Sequence, residues 1–242
     1  MDAVILAAGR GRRLRPLTDE VPKALLPVDG RPLLKQHLIS LSKAGIDSFI
    51  IVVGFLGDLL VSFLEEDGLT SNLEIEFVYQ GKQLGSAHAL RQVKLQGRDY
   101  LVSACDCLYP VEYLKEFLKF HFTDGQDITL ALKKLAPDAM SESSTVLLED
   151  GEVKKIIEKP CRKNFLSPMA CAPLYIFPPE SEGFIRRVEK SKRGEYEITS
   201  VIQDMLDAGY TARGLQASEW IHLTDTQDLL RLNFPYLKRL SD

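Results

Sequence analysis

The sequence predicts an α/β fold built on a mostly parallel sheet with helices on both faces. Three observations carry this. Strand and helix patterns alternate through the first half of the chain. The first apolar run, Ala3 to Ala8, is short and continuous and is closed by Gly9, as in a strand buried on both faces. The second half breaks the alternation with Asp150-Gly151 between two apolar runs, the mark of a hairpin inserted into the domain.

The elements follow in order. After the first strand, Pro32 to Ala44 has apolar residues at helical spacing, with proline at its start and Gly45 beyond its end. Ser48 to Val53 is a β-branched run and a second strand. Leu59 to Glu66 reads as a helix. Leu73, Ile75, Phe77 and Tyr79 alternate along one strand face. Ala87 to Lys94 is a helix, Tyr100 to Ala104 a strand and Val111 to Phe122 a helix. In the second half Ile128 to Leu132 is a strand, Thr145 to Leu148 and Val153 to Ile157 form the hairpin, and Leu174 to Phe177 is a strand. Ile198 to Ala208 is a helix stopped by Gly209. A last helix runs from Asp225 to Leu237, with Pro235 expected to bend or break it.

The composition is that of a globular protein: 242 residues, 45% hydrophobic and 26% charged. The net charge of -4 argues against nucleic acid or an anionic membrane as a bulk partner. The N-terminus lacks the basic flank and cleavage region of a signal peptide, and no run of about 20 apolar residues offers a membrane span. The four cysteines, Cys105, Cys107, Cys161 and Cys171, lack paired C-x2-C spacing, so zinc is not expected. They read as reduced thiols of a cytoplasmic protein. No repeat or linker divides the chain. One domain over 1–242 is the simplest reading, with a first half to about 125 and a second from about 126.

The chemistry begins at the end of the first strand, in Leu6-Ala7-Ala8-Gly9-Arg10-Gly11-Arg12-Arg13-Leu14-Arg15-Pro16-Leu17-Thr18. Gly9 and Gly11 let the backbone turn tightly and approach a ligand, and successive N–H groups in such a loop cradle phosphate oxygens. Arg10, Arg12, Arg13 and Arg15 form the local basic cluster that a polyphosphate needs. The loop is neither a dinucleotide fingerprint, which needs a third glycine, nor a P-loop. Lys23 follows between Pro22 and Pro27, which constrain the chain on both sides.

From Leu6 to Val28 the chain resembles the signature of the sugar nucleotidylyltransferases, roughly L-A-[AG]-G-x-G-x-R-L-x-P-L-T followed by P-K-x-L-[LV]-P-[VI]. The resemblance implies a Rossmann-like three-layer domain with a central mixed sheet. It implies transfer of a nucleotidyl group from an NTP to a sugar 1-phosphate, with release of pyrophosphate. Arg13 and Lys23 fall on the residues that meet phosphates, and Ala8, Gly9, Gly11 and Arg12 on the nucleotide loop.

The match continues in order to about residue 230. Gln80 and Gly85, in Tyr79-Gln80-Gly81-Lys82-Gln83-Leu84-Gly85-Ser86, occupy the positions that read the base, most like relatives that use UTP or dTTP. His88, just beyond, is expected to serve packing alone. Asp106 matches the metal-binding aspartate, which points to Mg²⁺, with Cys105 where glycine is usual. Glu158 and Lys159 of Glu158-Lys159-Pro160 would hold the sugar hydroxyls and the sugar phosphate. Tyr175 falls in the sugar segment, and Pro173 replaces a glycine there, which would reshape the pocket. Gly194-Glu195-Tyr196-Glu197-Ile198-Thr199 reads as chiefly structural, with Glu195 near the sugar. In Trp220-Ile221-His222-Leu223-Thr224-Asp225, His222 stands where the second metal aspartate is usual. Three readings stay open: His222 is a ligand, favouring Mn²⁺; Asp225 reaches the metal instead; or the second ligand is lost.

The catalytic set implied is Arg13, Lys23, Asp106 and Lys159. The sugar is expected to be a hexose such as glucose. Two alternatives compete: a nucleotide-sugar-binding regulatory module with little catalysis, and a cytidylyltransferase for a non-sugar phosphate. Oligomeric state is not readable, a homo-oligomer included. The short stretch after Trp220 leaves no room for an appended acyltransferase domain.

Overall fold

The computed structural model describes residues 1–234. Its strands and helices in chain order are β1 (Asp2–Leu6), β2 (Pro27–Val28), β3 (Arg31–Pro32), α1 (Leu33–Lys43), β4 (Ser48–Val53), α2 (Gly57–Glu66), β5 (Glu74–Tyr79), α3 (Ser86–Leu90), β6 (Tyr100–Ala104) and β7 (Cys107–Leu108). They continue with α4 (Val111–Asp124), β8 (Ile128–Lys134), β9 (Ser144–Glu149), β10 (Glu152–Glu158), β11 (Met169–Phe177), α5 (Ser181–Arg187), α6 (Ile198–Asp207), β12 (Ala212–Gln216), β13 (Ile221–His222) and α7 (Thr226–Asn233). Nine strands from both halves form one sheet in the order β5-β4-β1-β6-β11-β8-β12-β10-β9.

The sheet is mixed. β5, β4, β1 and β6 run parallel to one another, and β12 runs parallel to β8. β11 is antiparallel to both its neighbours, β6 and β8, and β10 is antiparallel to β12 and β9. Alternate residues of β1 divide between two cores, as a pleated strand requires. Val4 belongs to the core that also holds Leu90, Phe184 and Val201 of α3, α5 and α6. Ala3 and Ile5 belong to the opposite core, with Leu38, Leu60 and Phe117 of α1, α2 and α4. The result is three layers, helices over both faces, as expected.

Registry places the functional segments. Leu6 pairs with Val52 on one side and Ala104 on the other, so β1, β4 and β6 end together at one edge of the sheet. The glycine-rich loop, Gly54 and Asp106 emerge there side by side, at the carboxyl ends where ligands of open α/β sheets bind. The contact is close: a Cβ at Gly54 would lie 2.8 Å from Ala8 Cβ. Antiparallel β11 brings Pro173 and Tyr175 to the same edge, since Leu174 pairs with Ser103 and Tyr175 with Val102. Pro173 falls where the β11–β8 register shifts, a place that tolerates a residue without an N–H.

The hairpin forms on the expected turn, with Asp150 at φ 51° and Gly151 at φ 81°, both left-handed as a type I′ turn requires. The helix expected over Ala87 to Lys94 is shorter and ends at Leu90. The last helix spans Thr226–Asn233, and its expected continuation from Pro235 to Leu237 lies outside the described residues. Six of these elements had no sequence prediction: β2, β3, β7, β12, β13 and the helix α5. All four cysteines are free. Among the described residues no helix is long and apolar enough to cross a membrane.

Candidate active site

The loop after β1 lines a cavity of about 270 Å³ with Leu6, Gly9, Gly11, Arg12, Arg13, Lys23, Ala104, Cys105, Asp106 and Thr224. Gly11 holds φ +61°, and a Cβ there would press on Thr18 Cγ2 at 3.0 Å and Lys23 Cβ at 3.1 Å. Glycine therefore lets the loop fold over Lys23. The Thr18 hydroxyl closes the same turn by donating to the Gly11 carbonyl at 2.9 Å. The four arginines divide by role. Arg10 donates to Gln83 at 3.2 Å and stacks over Phe55, and Arg15 pairs with Asp19 at 2.9 Å. Arg12 and Arg13 are the two that line the cavity. Ala8 is buried against Gly54 and does not line that cavity.

Asp106 stands at the centre. Lys23 Nζ donates to its Oδ2 at 2.6 Å, and His222 Nε2 lies 3.6 Å from the same oxygen. The Cys107 thiol donates to Oδ1 at 3.5 Å. Burial alone would raise the Asp106 carboxyl, but the Lys23 ammonium and then His222 hold it well below the usual carboxylate range. It is a fixed anion at any working pH. Cys105 behaves oppositely: burial and the Asp106 charge push its thiol up to about 12, so it is a neutral packing group.

His222 is delivered by a two-stranded ribbon. β13 pairs antiparallel with β7, His222 opposite Cys107, and Leu223 N donates to the Asp106 carbonyl at 2.9 Å. The imidazole stacks on Trp220 at 5.1 Å, and Trp220 on Tyr109 at 5.8 Å. Asp225 is engaged elsewhere. Its carboxylate accepts from Gln227 N at 2.8 Å and Asp228 N at 3.0 Å, capping α7 in a capping box.

A second cavity of about 250 Å³ adjoins the first, sharing Leu6 and Ala104. Glu158, Lys159, Pro173 and Tyr175 line it, with Arg193 and Glu195. Glu158 ends β10 and accepts from the Thr199 hydroxyl at 3.2 Å; burial and then Glu197 push its carboxyl up. Lys159 takes φ +39°, pinned by its N–H to the Ser143 carbonyl. Glu195 was expected near this region. Arg193 and Glu197, paired at 2.9 Å, were not, because the segment read as structural.

Gln80 and Gly85 line neither cavity. The Gln80 amide donates to the Gly85 carbonyl at 3.3 Å and pairs with His88 Nδ1 at 2.9 Å. Gly85 holds φ +117° against the Tyr196 backbone, where a Cβ would lie 2.3 Å from the carbonyl oxygen. His88 thus does more than pack: it anchors Gln80 and stacks on Tyr196 at 6.0 Å. Ser86, next to Gly85, does reach the second cavity. The structure brings Arg12, Arg13, Lys23 and Asp106 to one cavity, with His222 beside Asp106, and Glu158, Lys159 and Tyr175 to its neighbour. Three cationic side chains, Arg12, Arg13 and Lys23, line a cavity beside a carboxylate just past a strand end, an arrangement suited to phosphates and a divalent cation.

The family model described as nucleotidyl transferase matches residues 2–239. A UTP–glucose-1-phosphate uridylyltransferase of Haloferax volcanii is 30% identical over 91% of this chain and 89% of its own length. A glucose-1-phosphate thymidylyltransferase of Streptomyces griseus is 31% identical over 96% of this chain, which spans 65% of that protein. The fold matches a crystal structure of UDP-glucose pyrophosphorylase complexed with UDP-glucose at a TM-score of 0.86, 21% identity and 98% of both chains. The chain belongs to the nucleotidyl transferase family.

Proposed function

We propose that this protein joins the nucleotide of UTP or dTTP to a hexose 1-phosphate, glucose 1-phosphate first among them, and releases pyrophosphate. The observation that carries this reading is the Lys23–Asp106 pair inside a cavity lined by Arg12 and Arg13. That cavity adjoins a second one lined by Glu158, Lys159 and Tyr175. The first suits the triphosphate and the second the sugar phosphate. The relatives named for uridylyl and thymidylyl transfer to glucose 1-phosphate support the substrate class.

On this reading a sugar phosphate oxygen attacks the α-phosphorus in line, and the bond to the β-phosphate oxygen breaks. A phosphate monoester is already a nucleophile at neutral pH, so the protein contributes position and charge rather than a base. Arg13 and Arg12 draw the β- and γ-phosphates and steady the leaving pyrophosphate. Lys23 turns from Asp106 to the reacting phosphates. Lys159 holds the sugar phosphate, Glu158 accepts from sugar hydroxyls and Tyr175 closes the floor. Gln80 and Gly85 shape the turn against which the base is read. Asp106 and His222 have converging donors and so fit a divalent cation; when bound, such an ion neutralises phosphate charge. A divalent metal ion is the cofactor class of this reading. The free cysteines fit a cytoplasmic setting.

The test is pyrophosphate release by purified protein. NTPs are paired with glucose 1-phosphate and N-acetylglucosamine 1-phosphate, and choline phosphate is included as a non-sugar acceptor. Release that requires both an NTP and a sugar 1-phosphate is expected, and it should fall by orders of magnitude in Lys23→Ala and Asp106→Ala. Silence in protein that still binds nucleotide would favour the regulatory alternative. Release with CTP and choline phosphate would favour the non-sugar one.

A further inference from the structure

Three donors of different chemistry meet beside the phosphate cavity. One ligand atom each of Asp106, Cys107 and His222 all lie within 4.8 Å of one another. The Asp106 Oδ1–Cys107 Sγ separation is 3.5 Å and the Asp106 Oδ2–His222 Nε2 separation 3.6 Å. With bonds of about 2.1 Å to oxygen or nitrogen and about 2.3 Å to sulfur, the edges of a tetrahedral coordination shell measure roughly 3.4–3.7 Å. The two separations are of that size, one to each oxygen of the Asp106 carboxylate.

The ribbon explains the convergence. His222 and Cys107 are directly opposed across an antiparallel pair, so their side chains leave the same face. The Leu223 N–H on the Asp106 carbonyl and the Trp220 stack on the imidazole hold that register. Cysteine spacing along the sequence could not reveal this set, because Asp106 and Cys107 lie far along the chain from His222.

We propose that Asp106, Cys107 and His222 form an oxygen–sulfur–nitrogen site for a borderline transition-metal ion of the Zn²⁺ or Co²⁺ class, held in preference to Mg²⁺. Mg²⁺ demands six oxygen donors in near-ideal octahedral geometry, whereas sulfur and imidazole select the later divalent metals. Three protein ligands leave a fourth position, and Asp106 faces the cavity lined by Arg12 and Arg13. The ion displaces Lys23 Nζ from Asp106. Coordination removes the Cys107 proton to solvent, so one metal–sulfur bond forms as one S–H bond breaks. The proposal deepens the nucleotidyl-transfer reading and rests on it only for the ion's use, not for its binding.

The test needs no substrate. Chelator-treated protein is titrated with Co²⁺ and its absorption recorded. A near-ultraviolet sulfur-to-cobalt charge-transfer band is expected, erased by stoichiometric Zn²⁺ and untouched by a large excess of Mg²⁺. Cys161→Ser should keep the band, since Cys161 is the exposed thiol. Cys107→Ser should lose it, and His222→Ala should weaken Co²⁺ binding by at least about 10-fold. Wild-type protein that binds Co²⁺ without the band, that binds no metal, or that takes Mg²⁺ as tightly as Zn²⁺ would overturn the proposal even if the variants misfold. The two readings fail separately. Pyrophosphate release with Mg²⁺ and no cobalt band would sink this site and leave the function. A strong band with no release under any metal would do the reverse.

Discussion

His37 makes a sharp prediction about acid stability. It sits on the inner face of α1 among Leu33, Leu34, Leu38 and Leu41, with no exposed surface. Neither ring nitrogen has a hydrogen-bond partner among the described residues. Burial lowers its pKa from 6.5 to about 4, against a weaker opposing pull from Asp106. The imidazole is therefore neutral in the folded protein while the unfolded chain protonates it near pH 6.5. Stability is unaffected by His37 above that point and falls as pH drops toward 4. The gap of about 2.5 pKa units corresponds to roughly 3 kcal/mol in total, and about 2 kcal/mol of it is lost by about pH 5.

The perturbation is His37→Met, which keeps the volume and removes both nitrogens. Urea unfolding at about pH 7.5 and about pH 5, followed by circular dichroism, gives the free energy of each protein at each pH. Other groups titrate in both proteins, so the informative quantity is the double difference. The variant should be the more stable by about 1 kcal/mol at the higher pH, where an unpaired buried imidazole is removed. Its advantage should grow by about 2 kcal/mol at the lower pH. An advantage that stays constant to within about 0.5 kcal/mol would refute the reasoning, because a depressed imidazole pKa must appear as a pH-dependent term.

Three further outcomes are expected. Gly85→Ala should cost about 3 kcal/mol or more in a thermal melt, since its Cβ would lie 2.3 Å from the Tyr196 carbonyl oxygen at φ +117°. A loss under about 1 kcal/mol would mean the Tyr196 segment yields easily. Asp225→Ala should lower stability by about 1 kcal/mol through loss of the α7 cap, with cation affinity intact; a collapse of cation affinity would make Asp225 the ligand instead. Lys133 is buried over the Trp220 ring at 4.4 Å, and burial lowers its amine pKa. A charged form disfavoured in the fold weakens stability below that lowered pKa and releases the protein as pH rises toward about 10.4, the unfolded value. Wild type should therefore gain on Lys133→Met between neutral and alkaline pH, and parallel pH curves would contradict this.

Much of the chain was readable because its signals are local. Ser48 to Val53 is a strand over those same residues, and Asp150-Gly151 turns the hairpin as its composition demands. The glycine-rich loop, Lys23 and Asp106 could be joined in advance through the family resemblance, and the structure unites the loop and Asp106 because β1 and β6 end at one edge. Elements made by pairing alone left no such trace. β12, Ala-Arg-Gly-Leu-Gln, has no alternation and is a strand because β8 and β10 lie beside it. β7 and β13 have two residues each, too few for any periodicity, yet they set His222 opposite Cys107. Gln80 shows the complementary limit. Its residue type suits reading a base, but whether its amide is free depends on His88, one helix away.

Charge connects the departures around Asp106. Two carboxylates would present two negative charges to a divalent cation; with histidine at position 222, Asp106 supplies one. Lys23 already offsets that one at 2.6 Å. On carboxylate chemistry alone, the site would hold a divalent ion poorly, since a hard cation is retained by charged oxygen. The Cys107 thiol restores the second charge once a metal takes its proton, while the imidazole adds a donor without charge. The exchange of one carboxylate for a thiolate and an imidazole, with Asp106 retained, keeps the electrostatic sum and changes the metal the site suits. Replacing histidine alone should therefore move the site only part of the way to magnesium: His222→Asp would set a new carboxylate opposite the Cys107 thiol and beside Asp106. Two like charges at that spacing raise one another's pKa until a cation arrives. Binding by that variant should become steeply pH-dependent and shift toward Mg²⁺. A variant that kept its preference for Zn²⁺ or Co²⁺ over Mg²⁺ would show that sulfur, not histidine, decides the choice.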